Sequence, residues 1–405
     1  MALAAKHRMN LSIGRWATDA RLLSLVDQAV VSGANFVTVI IIGRVLPAAD
    51  FGHFSLAFMT WLLLSNLHRS SLTQPLNVLG AGESPAAQLA HYAGINRAGL
   101  ALLPLGAVVL ALSSRFFFPD PWLFLATFVF AACFFPQEAY RRYCYTSGQY
   151  LYAVKNDLVS YGGQVLLLLL LAQLGWLTTY SAFVVLALSS LLACLLAWHR
   201  VGKRAWAPAL GLQTLAVQHL ALARWLTLTV LAVWGAGQVY PFLMTGLGTA
   251  VVGAFAASRN LLNVLGPVVQ SIGNFIPTRA ANVLQLEGPE SFRRHFRQTM
   301  GKLVVLAMIF ALVMQVAAQP LLHLFYGGRY DAAAPVLRVL AFGAACSLLG
   351  AALGAYALAL KDSRSGFFSN LGASTVTFTV GLWLVREQGL EGAALATALS
   401  LATAA

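Results

Sequence analysis

Twelve apolar segments recur along this chain, nearly all long enough to cross a hydrocarbon layer of about 30 Å. They fall near 22–43, 50–67, 89–112, 121–140, 154–172 and 179–198, and then near 216–243, 249–274, 301–319, 333–359, 366–385 and 389–405. Such segments must be helices, because lipid offers no partner to a backbone N–H or C=O and a helix pairs its own. Composition agrees: 10% of the 405 residues are charged and 59% are hydrophobic, whereas a soluble domain carries about 25% charged residues. The expected fold class is an all-α membrane protein of about twelve transmembrane helices. The last segment is short for a full crossing; the expectation is either a short terminal helix or one cut by the end of the sequence.

Lysine and arginine set the orientation. With the N-terminus in the cytoplasm, inner connections hold eighteen of them, including Lys6, Arg69, Arg142, Lys203, Arg204, Arg279, Arg294 and Lys361. Outer connections hold five: Arg44, Arg115, Arg329, Arg338 and Arg386. The bias places the chain in the inner membrane and explains a formal charge of +13 by attraction to anionic headgroups, without nucleic acid. The basic first 21 residues lead into a full span, so that span reads as an uncleaved signal anchor. A basic linker, 199–215, separates six helices (22–198) from six more (216–405). Cys133, Cys144, Cys194 and Cys346 show no paired spacing and read as small apolar fillers.

The two halves echo each other. Phe51-Gly-His-Phe-Ser opens the second segment and Val252-Gly-Ala-Phe-Ala opens the eighth, at an offset of 201; Pro75 and Pro277 follow at an offset of 202, and Gly175 and Gly389 precede the sixth and twelfth segments. Six is an even number, so such halves are parallel repeats about an axis along the membrane normal.

Several of these stretches resemble one family. Arg44-Val-Leu-Pro-Ala-Ala-Asp-Phe-Gly52 is similar to the short turn between the first two helices of the polysaccharide exporters, the O-antigen-type flippases of the multidrug/oligosaccharidyl-lipid/polysaccharide superfamily. Asp27-Gln28 through Asn35-Phe36 resembles their first helix, and Gly253 to Leu262 with Pro277 their eighth. Leu324-Phe-Tyr-Gly-Gly-Arg-Tyr-Asp331 with Pro335-Val-Leu-Arg338, and Gly392-Ala-Ala-Leu-Ala-Thr397, resemble later signatures, so the likeness covers nearly the whole chain. It implies two six-helix bundles packed as a V around a central cavity and working by alternating access. The implied cargo is an oligosaccharide on a polyprenyl pyrophosphate, flipped outward for surface polysaccharide or lipopolysaccharide assembly by a monomer, with polysaccharide-assembly proteins as further partners.

Charges inside spans are costly, about 2.5–3.5 kcal/mol each at a helix centre on insertion scales. Six polar groups of the first segment share a 140° arc, among them Asp27, Gln28, Ser32, Asn35 and Thr38. Such a stripe faces protein or water: as packing between helices, or as a cavity wall with Asp27 and Asn35 as candidates for proton or cation coupling. In the eighth segment Arg259, Gln270, Asn263 and Asn274 fall within 60° of one another. Arg259 lies roughly 14 Å from the outer end, too deep to snorkel easily. Its repeat partner is Phe58, so the fold itself demands no cation there. A guanidinium fork suits phosphate oxygens, making Arg259, Asn263 and Gln270 candidates for substrate binding. Arg224 and Arg97 are further candidates, with snorkelling as the alternative account of Arg224. Glu138, Arg141 and Arg142 read as i,i+3 and i,i+4 pairs at the interface, and Glu290 to Gln298 as an amphipathic interfacial helix.

No HExxH, P-loop or GxSxG occurs, and no metal or cofactor is expected. Two alternatives stay open: a cation-coupled drug antiporter of the same superfamily, and a membrane-embedded O-antigen polymerase or ligase. The second usually carries a large outer loop, which the spacing here lacks. Cysteine-accessibility mapping is expected to place Lys203, Arg294 and Lys361 inside and Arg115 and Arg329 outside; outward exposure of 279–302 would overturn the orientation.

Overall fold

The computed structural model describes residues 20–80, 82–202, 210–360, 362 and 364–405. The basic segment 1–19, Lys203 and Arg204 of the linker, and Lys361 lie outside the described residues, as does the side chain of Asn274. No strand occurs among the described residues. The helices are α1 (Ala20–Val45), α2 (Ala48–His68), α3 (Pro85–Phe117), α4 (Pro121–Thr146), α5 (Tyr150–Gln173) and α6 (Thr179–Val201). They continue as α7 (Leu212–Gly237), α8 (Thr249–Leu262), α9 (Gly266–Tyr326), α10 (Ala334–Ala359), α11 (Arg364–Val376) and α12 (Leu382–Ala404).

Nine helical stretches among the described residues are long and apolar enough to cross a membrane. Two of them hold more than one expected segment. Thr249–Tyr326 passes through Gly288, at φ 86°, and Arg364–Ala404 passes through Gly389, at φ 59°. Glycine adopts these left-handed angles without the Cβ penalty, so each marks where one segment ends and the next begins. The expected segments fall in helix throughout, save that the seventh breaks at Gln238–Val239 before a short helix, Tyr240–Leu243. Large apolar side chains such as Leu105, Phe116, Trp122 and Val316 stand exposed. On a soluble monomer they would make sticky patches; lipid is the solvent that accommodates them. The chain is a multi-pass, all-α membrane protein.

By packing, the chain divides into two compact units, 1–38 with 60–227 and 39–59 with 228–405. The borders fall inside α1, α2 and α7. In the first unit Leu76, Tyr92, Ile95, Tyr140 and Cys144 form an apolar core, and Trp61 lies 4.6 Å from the Phe130 ring. In the second unit the stretches that carried the family likeness touch each other. Arg44 Nη1 donates to Leu324 O at 3.2 Å, Arg329 Nη1 donates to Leu46 O, and the Phe51 and Tyr330 rings are 6.0 Å apart. The echoed glycines meet there as well. A Cβ on Gly52 would lie 1.8 Å from Thr249 O, and one on Gly253 would lie 2.5 Å from Ala48 O and 3.3 Å from Gly52 N. The first turns of α2 and α8 therefore cross backbone against backbone, the close approach that small residues allow in membranes.

Beyond Gly288, Phe292 and Phe296 pack edge-on against Tyr356 of α10, at 5.7 and 4.9 Å between ring centroids, while Arg293, Arg294 and Arg297 are exposed. The amphipathic character expected of 290–298 is present.

The glycine crossing generates a comparison with an internal control. Gly52→Ala is expected to lower the thermal midpoint of the detergent-solubilised protein, since overpacking costs about 1–3 kcal/mol. Gly33→Ala, whose methyl would meet nothing within 4 Å, is expected to leave the midpoint unchanged or raise it. Equal midpoints would contradict the crossing.

Candidate functional site

In the second unit, two breaks in helix geometry build a polar cavity. α7 stops at Gly237, leaving that carbonyl without an intrahelical partner. α8 ends in a 3₁₀ turn, Asn263–Leu265, before Gly266-Pro267 opens α9. Proline has no N–H to return to the carbonyl four residues back, so the backbone bends there. Arg259, in the last turn of α8, donates from Nη1 to Gly237 O at 3.0 Å. Arg259, Asn263 and Gln270 then line one cavity of about 1010 Å³ together with Gln238, Ser347 and Asn370. Asn263 and Gln270 are exposed and Arg259 is half-buried.

The electrostatics are one-sided. No aspartate or glutamate is among the residues lining this cavity, and no salt bridge to Arg259 forms among the described residues. The guanidinium is met by a neutral carbonyl at a helix C-terminus, whose partial negative charge is about half a unit. The cavity is thus cationic, with amide donors and acceptors on its wall. Arg224 and Arg97 belong to the first unit and do not line it. Both are exposed; the Arg224 guanidinium sits 5.9 Å from the Trp225 ring.

The first unit holds a different charge arrangement. Arg141 of α4 is buried, with Nη2 2.6 Å from Asp27 Oδ2 and Nε 2.5 Å from Asp157 Oδ2. Tyr145 OH donates to the same Asp27 oxygen at 2.5 Å, and Gln137 Nε2 donates to Asp157 Oδ1 at 3.0 Å. Glu138 pairs with Arg142 at 2.7 Å and with Arg141 at 3.5 Å. The expected i,i+3 and i,i+4 pairs exist, but Glu138 and Arg141 are buried inside the unit rather than spread along its surface. Asp27 is fully buried and serves as one of three carboxylates on a single guanidinium. Thr38 of the same stripe accepts from Gln164 Nε2 at 3.0 Å, and Gln28 donates to Ser32 at 2.9 Å. Asn35 is half-buried. Much of the stripe is accordingly spent on packing within the unit.

Sequence reasoning missed Asp157. The signal was present: Asp157, Ser160 and Gln164 recur at helical spacing on one face of α5, and all three are buried. It also missed the buried pairing of His91 with His219, 128 residues apart, which no local pattern foretells.

The sequence matches no family model and no curated protein. Solved structures do match. The lipid II flippase MurJ, in an inward closed conformation, superposes with a TM-score of 0.74 at 13% identity, over 95% of this chain and 85% of that one. An inward-facing multidrug resistance MATE family transporter of the MOP superfamily gives 0.69 at 11% identity over 95% of each chain. The Vibrio cholerae MATE transporter VcmN, as a mutant, gives 0.61 at 17% identity over 97% of this chain and 95% of that one. The fold is that of the MOP-superfamily transporters. At these identities the likeness establishes architecture, and what passes through it must be argued from this chain's own residues.

The Arg141 cluster generates an ordering of variants. Removing one charge of a buried network while leaving its partners costs about 3–5 kcal/mol. Arg141→Ala strands Asp27 and Asp157 together and is expected to abolish a folded, monodisperse product. Asp27→Asn leaves Arg141 paired with Asp157 and is expected to fold, with a modestly lowered thermal midpoint. The reverse order in size-exclusion and thermal-shift measurements would refute the arrangement of carboxylates around Arg141.

Proposed function

We propose that this chain is a flippase for an oligosaccharide carried on a polyprenyl pyrophosphate. It crosses the inner membrane with a cytoplasmic N-terminus and works by alternating access of its two six-helix halves, 22–198 and 216–405. One observation carries the choice: the large cavity of the second unit contains an arginine and no aspartate or glutamate among its lining residues. A cationic drug entering it would meet a like charge without a counter-ion. A pyrophosphate would meet a guanidinium fork with amides beside it.

The roles proposed here rest on that lining. Arg259 takes the phosphate oxygens; exchanging a carbonyl for a phosphate oxygen as acceptor turns a neutral contact into an ion pair. Asn263 and Gln270 supply both donors and acceptors, which sugar hydroxyls and phosphates alike can use. Arg97 and Arg224 are further substrate-binding candidates, carried by the first unit. Asp27 with Asn35 is the coupling candidate of α1, acting by loosening or tightening its hold on Arg141. The structures that share the fold support a transporter rather than a polymerase or ligase: the first is described as a lipid II flippase and the others as MATE transporters.

The test separates the cavity from its scaffold. Arg259→Ala is expected to abolish flipping, so that the lipid-linked precursor accumulates on the inner leaflet while surface polysaccharide disappears. Arg259→Lys keeps the charge without the fork and is expected to lose flipping in part. Expression and thermal stability are measured in the same variants. A stable, abundant Arg259→Ala protein that exports at normal rate would refute the assignment.

A further inference from the structure

Four groups of the first unit form a continuous chain: Glu83 before α3, His91 on α3, His219 on α7, and the backbone of Ser71 in the π-helical turn Arg69–Thr73. Nε2 of His91 and Nε2 of His219 are 2.7 Å apart, so one of them carries a hydrogen. Nδ1 of His219 lies 3.1 Å from Ser71 O; a carbonyl only accepts, so this nitrogen carries one too. Nδ1 of His91 lies 3.6 Å from Glu83 Oε2, beyond hydrogen-bond reach but within ion-pair distance, so the approach turns attractive when a proton sits on either atom. Two neutral imidazoles own two N–H groups between them. The two hydrogen bonds use both, which leaves the His91 Nδ1 lone pair turned toward the Glu83 carboxylate. A third proton has one place to bind, between that nitrogen and Glu83 Oε2.

The surroundings make that proton consequential. His91 and His219 are buried. Without the extra proton, the His91 Nδ1 lone pair would face the Glu83 carboxylate oxygen, and both atoms lie away from solvent with no other hydrogen-bond partner. Such a pair of facing acceptors is costly in a water-poor site. Among the described residues, Glu83 is the charged side chain acting on His91, and His91 the one acting on His219. The other titratable side chains on these elements are His68 and Arg69 at the turn, Tyr92, Arg97 and Arg115 on α3 and Arg224 on α7. A metal ion does not fit between the rings: two imidazole nitrogens on one tetrahedral zinc stand about 3.3 Å apart, given Zn–N distances of about 2.0 Å.

We propose that Glu83, His91 and His219 form a proton-binding site, filled while α7 is tied to α3 and to the Ser71 turn, and emptied when that tie opens. Further along, α7 ends at Gly237, whose carbonyl holds Arg259. Resting on the flippase reading above, the site gives the transport cycle its coupling ion, a proton, at a place distinct from Asp27.

The test is ¹⁵N-imidazole NMR of the histidine-labelled, full-length protein in nanodiscs, titrated between about pH 5 and 9, where histidines change charge. Difference spectra of His91→Gln and His219→Gln identify the two rings. In the wild type these rings are expected to share one proton and titrate as one unit. Glu83→Gln keeps both rings and replaces a side chain at the unit's edge, so it tests the site even where a histidine variant fails to fold. It is expected to release the proton about one pH unit lower, a tenfold loss of proton affinity. A nitroxide at Val217→Cys, an exposed position of α7, is expected to gain mobility over the same pH range. Independent titration of the rings, an unchanged midpoint in Glu83→Gln, or a label indifferent to pH would each overturn the proposal. None of these readouts involves lipid flipping, so loss of the flippase reading and loss of the proton site are told apart.

Discussion

Hydrocarbon leaves a polar side chain two places to go: against a partner inside the protein, or into a cavity that admits water and cargo. The chain uses both, and the difference separates the buried Arg141 from the half-buried Arg259. Arg141 is enclosed by Asp27, Asp157 and Glu138, its charge answered within the first unit. Arg259 stands at the wall of a cavity of about 1010 Å³ with a backbone carbonyl for company. The first arrangement holds a bundle together. The second leaves a charge with no aspartate or glutamate beside it.

Backbone irregularities put these groups in place. The π-helical turn Leu158–Gly162 follows Asp157 directly, and the turn Arg69–Thr73 presents the Ser71 carbonyl to His219; π-turns recur at functional positions because they re-aim neighbouring groups. The end of α7 at Gly237 and the Gly266-Pro267 bend after α8 do the same for Arg259, Asn263 and Gln270. The glycine crossing of α2 and α8 works in the opposite sense, removing freedom: at 1.8 Å from Thr249 O there is no room for a side chain on Gly52. Where that crossing is tight, the chain also makes its Arg44 and Arg329 bonds to backbone carbonyls.

What could be read from the sequence was whatever local periodicity carries. The segments, their helical form, and the row of Arg259, Asn263 and Gln270 on one face all depend on 3.6-residue spacing, and each appears in the structure. The echoed Phe-Gly and Val-Gly stretches announced themselves by similarity, and they meet. Partner identity was not legible. Asp27 looked like a lone carboxylate because its guanidinium is 114 residues away, and His91 gave no hint of His219. The packing borders at Thr38, Met59 and Thr227 fall inside apolar helices, where no change of composition marks them; a linker rich in lysine and arginine is far easier to see than a border within a helix.

The absence of an acid beside Arg259 is the most informative feature of the cavity, because it runs against stability. An aspartate among the lining residues would neutralise the guanidinium and spare the fold an uncompensated charge, as Asp27 and Asp157 do for Arg141. That same aspartate would repel a pyrophosphate and would hold the fork closed against it. Leaving the charge on a neutral carbonyl costs folding free energy and raises the affinity for an anion by the same interaction, since a ligand gains what the native state forgoes. A cation carrier has the contrary need, a carboxylate and no fixed arginine. The polarity of the lining is therefore a stronger guide to cargo than the fold, which serves a lipid II flippase and MATE transporters alike.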